Sequence, residues 1–541
     1  MDFLILFVSF FQSAMKTFSL FLLISISGLF LFTSCVGTDG KTIDPVTKYD
    51  EPYRPLIHFS PPSMWMNDPN GLVFFEGEYH LFYQYYPEST VWGPMHWGHA
   101  VSKDLVHWQH LPIALSPDKL GYIFSGSAVI DFKNTSGLGK PKRPAMIAIY
   151  TYHSPILKKE KKNNFQTQGM AYSLDKGRTW TKYSGNPILL NPGLKDFRDP
   201  KVSWNVETKK WIMTLAVGNY IRFYSSLNLK NWTYESEFGK TKGAHGGVWE
   251  CPDLLKMPVK NVKGESKWVL LVSINPGGPN GGSATQYFIG NFDGHQFVSD
   301  DEKIRWIDYG KDNYAGVSFS GISKKDGRTI SIGWMSNWQY ATSVPTTPWR
   351  SAMTFPRQLN LEKGKDEYYL SSNPVDEVEQ LRENKITIKP FVAKDKKELS
   401  TALPFTLSTF EIIADFSLPQ KGGASEFGFE LYNTKGENIL IGYNDQMKRF
   451  IINRQNSGKH DFSKDFEAIH ISGKMKKESN ITMHIIIDVA SVELFGQSGK
   501  IAMTDIFFPN EAFKNLSVYS KNGTVKCNGI TIYKLHNIWK Q

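Results

Sequence analysis

From Pro52 to about Phe355 the chain is a succession of short apolar runs cut by Gly, Pro, Asn and Asp, and no long segment carries a 3.6-residue apolar stripe. Gly71-Leu72-Val73-Phe74-Phe75, Tyr79-His80-Leu81-Phe82-Tyr83, Ala145-Met146-Ile147-Ala148-Ile149-Tyr150 and Trp211-Ile212-Met213-Thr214-Leu215 are examples. Each has strand length, with turn residues at both ends. Helical bundles and alternating βα folds need helix-length apolar periodicity, so this pattern excludes them. A repeat lies over it. Ser102-Lys103-Asp104-Leu105-Val106-His107-Trp108 resembles Ser173-Leu174-Asp175-Lys176-Gly177-Arg178-Thr179-Trp180 and Ser226-Leu227-Asn228-Leu229-Lys230-Asn231-Trp232. The tryptophans fall 72 and 52 residues apart. A repeat of roughly 50–70 residues holding about four strands indicates propeller blades, and about 300 residues at that period give about five. Each shared turn, with its Trp buried, is expected to pin the outer strands of a blade.

After this region, Pro374-Val375-Asp376-Glu377-Val378-Glu379-Gln380-Leu381-Arg382-Glu383 reads as a short helix or linker. From about Ile386 to Gln541 short strands return, clearest at Phe410–Phe416 and Met483–Asp488. This second unit reads as a β-sandwich.

The N-terminus reads as an export signal. Met15-Lys16 followed by the apolar Phe18–Phe32 has the layout of a signal peptide, with Met1–Ala14 as an upstream start artefact. A membrane-spanning anchor is the competing reading. Small residues before Cys35, followed by polar Gly37-Thr38-Asp39-Gly40, favour a bacterial lipoprotein signal, although Phe32 stands where Leu is usual. Cys35 is then the lipidated first residue of a membrane-anchored protein at the cell surface or in the periplasm; plain secretion is the alternative.

Charge and cysteine content exclude further classes. The net charge is +10, but the lysines are scattered, and the one dense run, Lys158-Lys159-Glu160-Lys161-Lys162, carries its own acid. A solvated loop explains it better than nucleic-acid binding, so no nucleic-acid partner is expected. Three cysteines make no disulfide framework. His96/His99 and His107/His110 sit in Trp-rich, strand-like stretches, so no metal site is expected.

Three acids stand in unusual surroundings. Trp65-Met66-Asn67-Asp68-Pro69-Asn70-Gly71 places Asp68 between Asn and Pro, with its backbone restricted by the following Pro. A plain turn explains the same residues equally well. Phe197-Arg198-Asp199-Pro200 again places Asp before Pro, now beside Arg. Val248-Trp249-Glu250-Cys251-Pro252 places Glu in an apolar run, where it is either paired or raised in pKa with a proton to give.

These three motifs, in this order and near this spacing, resemble glycoside hydrolase family 32, the family of invertases, inulinases and levanases. The similarity spans about residues 52–535. It includes Phe82–Pro87, Trp92–His99, Phe124–Ser127, Trp334–Trp338, Pro348–Arg350, Val492–Gly496 and Thr504-Asp505, and is greatest to bacterial exo-acting levanases. It implies an all-β protein: a five-bladed propeller (52–372), a linker (373–390) and a β-sandwich (391–541), preceded by a signal (1–35) and a tether (36–51). It also implies a retaining mechanism with two carboxylates about 5–5.5 Å apart. Asp68 is then the nucleophile, Glu250 the acid–base and Asp199 the group that holds fructose hydroxyls in the transition state. Trp249 and Cys251 would raise the Glu250 pKa. Arg198 would keep Asp199 ionised or hold Glu250; the sequence does not choose. Asn67, Gln84 and Ser125 would orient the sugar. Trp65, Trp92, Phe124 and Trp338 would wall the pocket, with propeller core as the alternative for each ring. No cofactor is implied. The expected partner is a fructan or fructo-oligosaccharide, cleaved from its non-reducing end, with sucrose also a substrate. An endo-acting enzyme, a transfructosylase and a non-catalytic fructan-binding lipoprotein are the alternatives. The Lys158–Asn164 insertion departs from the family pattern and is expected to reshape the groove rim. Oligomeric state is left open.

Overall fold

The computed structural model describes residues 48–323, 325–419 and 422–540. The expected signal, Cys35 and most of the tether lie outside the described residues.

The first part is a five-bladed β-propeller. The blades run from inner strand to outer edge as Met64–Phe75 to Trp108–Leu115, Tyr122–Asp131 to Thr181–Lys182, Phe197–Asn205 to Thr233–Phe238, Val248–Pro258 to Phe297–Ser299, and Tyr314–Ser318 to Tyr368–Pro374. Each inner strand packs against the next, and the fifth returns to the first. Closure is reinforced by backbone. Trp349–Arg350 pairs in parallel with the start of the first inner strand, and Ser320 N–H donates to Leu72 O at 2.9 Å. Around the axis Lys201 of the third inner strand meets Asp253 of the fourth at 3.1 Å, and the Asp253 carboxylate accepts from Ser318 N and Oγ of the fifth, both at 2.7 Å. Three blades are thereby tied beneath the pocket.

The sequence repeat is the turn joining the third strand of a blade to its outer strand. In the first three blades Ser102, Ser173 and Ser226 each bond through Oγ to the side chain of Asp104, Asp175 and Asn228. Trp180 and Trp232 Nε1 close the turn onto Gly177 O and Leu229 O, both at 3.0 Å. A fourth copy, Asp293-Gly294-His295-Gln296-Phe297, carries Phe in place of Trp and escapes sequence comparison for that reason.

A 3₁₀ turn, Asp376–Leu381, leads into the second part. This is one 11-stranded sheet folded over its own core. The long strand Asn515–Leu535 pairs with Glu426–Tyr432 through its first half and with Phe410–Ser417 through its second, so it belongs to both layers. The layers touch where the Phe450 ring lies on Gly496. A Cβ there would stand 2.4 Å from that ring, so only glycine fits.

The seam between the two parts is ionic and buried. Arg357 of the propeller bridges Asp308 and Glu493, and His58 lies between Asp488 (2.8 Å) and Glu493 (2.9 Å). Burial alone would push the His58 imidazole down; its two carboxylate partners lift it to about 9. Burial also opposes the Glu493 charge, yet Arg357 and His58 hold it at about 2. A second group joins Arg454 to Asp312 and His470 to Asp505. The Val492–Gly496 and Thr504-Asp505 motifs therefore serve the seam.

Candidate active site

One backbone irregularity, repeated in all five blades, builds the site. Two consecutive residues of each inner strand face a single residue of the second strand: Asn67-Asp68, Phe124-Ser125, Asp199-Pro200, Cys251-Pro252 and Ala315-Gly316. Such a bulge leaves one residue unpaired and re-aims side chains that strict alternation would send elsewhere. Asp199, Cys251 and Ala315 adopt φ of 63°, 46° and 52°. This left-handed backbone costs a non-glycine residue roughly 1–2 kcal/mol, which the surrounding blade packing offsets. The two Asp-Pro pairs are not equivalent: Asp68 is the second bulged residue of its blade, Asp199 the first of its own.

The residues just before the bulge in the third, fourth and fifth blades are Arg198, Glu250 and Tyr314, and they form one chain. Arg198 donates to Glu250 Oε1 through Nε (3.0 Å) and Nη2 (2.8 Å), and to Asp196 through Nη1 (2.6 Å). The Tyr314 hydroxyl donates to Glu250 Oε2. Burial first, then the Glu250 charge, lifts the Tyr314 phenol well above its usual value, so it remains a donor. Arg198 stands 3.9 Å from Asp199, beyond hydrogen-bond reach. Arg198 therefore hydrogen-bonds Glu250 and acts on Asp199 through its charge alone.

Asp68 and Asp199 form the second layer. Asp68 Oδ2 accepts from Ser125 Oγ (2.7 Å) and Oδ1 from Asn67 Nδ2 (3.0 Å). The Cys251 thiol stands 3.5 Å from Asp68 Oδ2 and 3.8 Å from Asp199 Oδ2, and Cys251 N–H donates to Asp199 at 3.1 Å. Burial, then the Glu250 charge, raises the Asp68 carboxyl against the pull of its three donors. Burial also raises Asp199; Arg198 opposes it, and the charges of Glu250 and Asp68 add to it. Three acids in one site thus coexist by the means available to them: desolvation, one guanidinium and neutral donors.

The other sequence candidates divide. Trp92, Phe124, Arg198, Glu250 and Trp338 line an open cavity of about 720 Å³ above the site, with His153. Asn67 and Ser125 bond directly to Asp68. Trp65 is fully buried and donates to Asn67 Oδ1 at 2.7 Å, with Trp338 stacked on it at 5.8 Å. It orients Asn67 from behind rather than walling the pocket. Gln84 is buried and donates to Ile123 O at 3.1 Å, tying the first blade to the second. Trp249 turns into the blade core and donates to Ala244 O at 2.9 Å, so the immediate surroundings of Glu250 are Arg198 and Tyr314. Sequence reasoning missed Tyr314, the Cys251 thiol, His153 and Phe165. Tyr314 sits in no motif, and its place before a bulge exists only once strands are paired.

A propeller whose mouth gathers paired carboxylates, one held by Arg and Tyr, beside a pocket walled by rings is a glycosidase by fold and site. Comparison with known proteins narrows this. Residues 58–374 match the Glycosyl hydrolases family 32 N-terminal domain and residues 377–534 the family 32 C-terminal domain. A levanase of Bacillus subtilis (strain 168) is 47% identical over 494 residues, covering 91% of this chain and 72% of that protein. An extracellular exo-inulinase of Aspergillus awamori is 38% identical over 523 residues, covering 91% and 96%. The crystal structure of exo-inulinase from Aspergillus awamori superposes with a TM-score of 0.82 at 36% identity, covering 91% of this chain and 100% of that one. A β-fructofuranosidase of Schwanniomyces occidentalis, complexed with fructosyl-erythritol, gives 0.80 at 33%, covering 90% and 98%. The chain belongs to glycoside hydrolase family 32.

Proposed function

We propose that this glycosidase is an exported, exo-acting, retaining β-fructosidase that releases fructose from the non-reducing ends of levan or inulin, and from sucrose. The observation that carries the reading is the convergence of Asp68, Asp199 and the Arg198–Glu250–Tyr314 chain in one cluster, whose Arg198 and Glu250 line the cavity. A levanase and an exo-inulinase among its relatives support the substrate class.

In this mechanism Asp68 attacks C2 of the terminal fructosyl unit while Glu250 gives its proton to the departing oxygen. The C2–oxygen bond breaks as the Asp68–C2 ester forms. Glu250, now a carboxylate, takes a proton from water, and the resulting oxygen attacks C2 to free Asp68. Ser125 and Asn67 fix the direction of the Asp68 oxygens. Asp199 accepts from fructose hydroxyls as positive charge grows on the ring, an interaction stronger in the transition state than in the ground state. Arg198 and Tyr314 hold the Glu250 carboxylate for both proton transfers.

A product time course tests this. Protein lacking residues 1–35 is given levan, inulin and sucrose separately. Fructose alone from the earliest points supports exo attack; an oligosaccharide ladder overturns it; no release from any substrate overturns hydrolysis. Asp68→Ala should abolish release. For the anchor, Cys35→Ala should move the protein from membrane to soluble fractions, and an unchanged distribution refutes lipidation at Cys35.

A further inference from the structure

The cavity above the site is asymmetric. Glu250 and Arg198 line it, whereas Asp68 and Asp199 do not. In the proposed reaction Glu250 is the group that touches the departing oxygen, so this space lies on the leaving-group side of the scissile bond. One of its walls comes from a segment that core packing does not explain. The helix Pro155–Lys159 contributes no buried residue. It is nonetheless anchored at its base, where Ser154 N–H donates to Phe165 O at 2.8 Å and Ser154 Oγ accepts from Leu157 N at 3.3 Å.

The wall offers two kinds of contact. The first is a run of rings leading away from the carboxylates. Trp92 meets Phe124 edge-on at 5.8 Å, Phe124 stacks on His153 at 4.2 Å, and Phe165 meets His153 edge-on at 5.2 Å. Burial, then the charges of Lys158 and Arg198, drives the His153 imidazole down to about 3, so the ring is neutral. Such faces suit the C–H faces of sugars. The second is an arc of donors: Lys158, Lys161, Lys162 and Lys195 all line the cavity. Among the described residues Lys158, Lys161 and Lys195 have no acidic partner, and Lys162 pairs only with Glu160, at 2.9 Å. Each ammonium carries three N–H donors and accepts nothing, which matches the oxygens of sugar hydroxyls.

We propose that Phe165 and the lysines of the 154–165 segment form a binding subsite for the sugar units beyond the leaving-group residue. It makes the enzyme prefer fructan chains of three or more units over sucrose. This rests on the fructosidase reading and adds a specificity determinant to it. Sucrose ends at the first leaving-group unit and gains nothing from the far wall; a longer chain reaches it.

The test compares kcat/KM for sucrose, a fructosyl trisaccharide and the polymer, in wild type and two variants. One replaces Lys158, Lys161 and Lys162 with Ala together; the other is Phe165→Ala. Wild type should favour the trisaccharide and polymer over sucrose. In either variant the ratio of polymer to sucrose kcat/KM should fall about 10-fold, the loss of one or two hydrogen bonds or one ring contact. A ratio unchanged in both variants overturns the subsite and returns the lysines to a solvated loop. A protein that releases no sugar overturns the fructosidase reading instead. The subsite is then read by calorimetry with a fructo-oligosaccharide, where the variants should bind about 10-fold more weakly and equal affinity overturns it.

Discussion

Replacing His58 by Gln probes the seam between propeller and sandwich through its pH dependence. In the folded protein His58 titrates at about 9, against 6.5 for the free side chain, because Asp488 and Glu493 flank it. A raised value means the protonated form is favoured by folding. The stabilisation is complete below about pH 6.5 and is lost as pH rises through about 9. A displacement of about 2.5 pH units at 1.36 kcal/mol each amounts to about 3 kcal/mol. An unfolding entropy of about 2 cal/mol/K per residue, over a body of roughly 500 residues, makes this about 3 °C in Tm. His58→Gln removes the titration but leaves both carboxylates in place. The assay is thermal unfolding of wild type and variant at one scan rate, from pH 6 to pH 10. Wild type should exceed the variant most at pH 6, and the gap should close by about 3 °C by pH 10. A gap of the same size at both ends refutes the reasoning, because His58 would then carry no folding-dependent charge.

Three further outcomes are expected. Asp253→Ala strands the Lys201 ammonium among the inner strands; breaking a buried pair costs about 3–5 kcal/mol, so Tm should fall by several degrees, and an unchanged Tm refutes the tie. Tyr314→Phe removes a donor to Glu250 Oε2; kcat on sucrose should fall about 10-fold or more while Tm falls by no more than about 3 °C, as loss of one hydrogen bond to a charged group predicts. Gly310→Ala sets a Cβ 2.1 Å from Thr504 O and 2.2 Å from Thr504 N. Backbone cannot step aside as a side chain does, so the seam should open and limited proteolysis should cut between residues 374 and 382 far faster than in wild type.

The architecture was legible because its signals are local. Strand-length runs, turn residues and the Ser-x-Asp/Asn…Trp turn are each complete within about ten residues, and the turn recurs in the first three blades. The acids were legible because Asp68, Asp199 and Glu250 each stand in a motif of their own. The partners of those acids were less so. Gln84 and Trp65 read as pocket residues from the motif, but a motif records proximity along the chain, and both side chains point into packing between blades.

The sequence by itself determined the fold class, the approximate blade number, the two-part organisation and the identity of three acids. Tertiary structure decided which groups those acids meet. Arg198, Glu250 and Tyr314 are separated by 52 and 64 residues along the chain, yet occupy the same register position in three successive blades. Their convergence depends on where each inner strand bulges. A one-residue change of register sends a side chain to the opposite face, and that register is set by pairing across strands and packing between blades, neither of which a linear sequence displays.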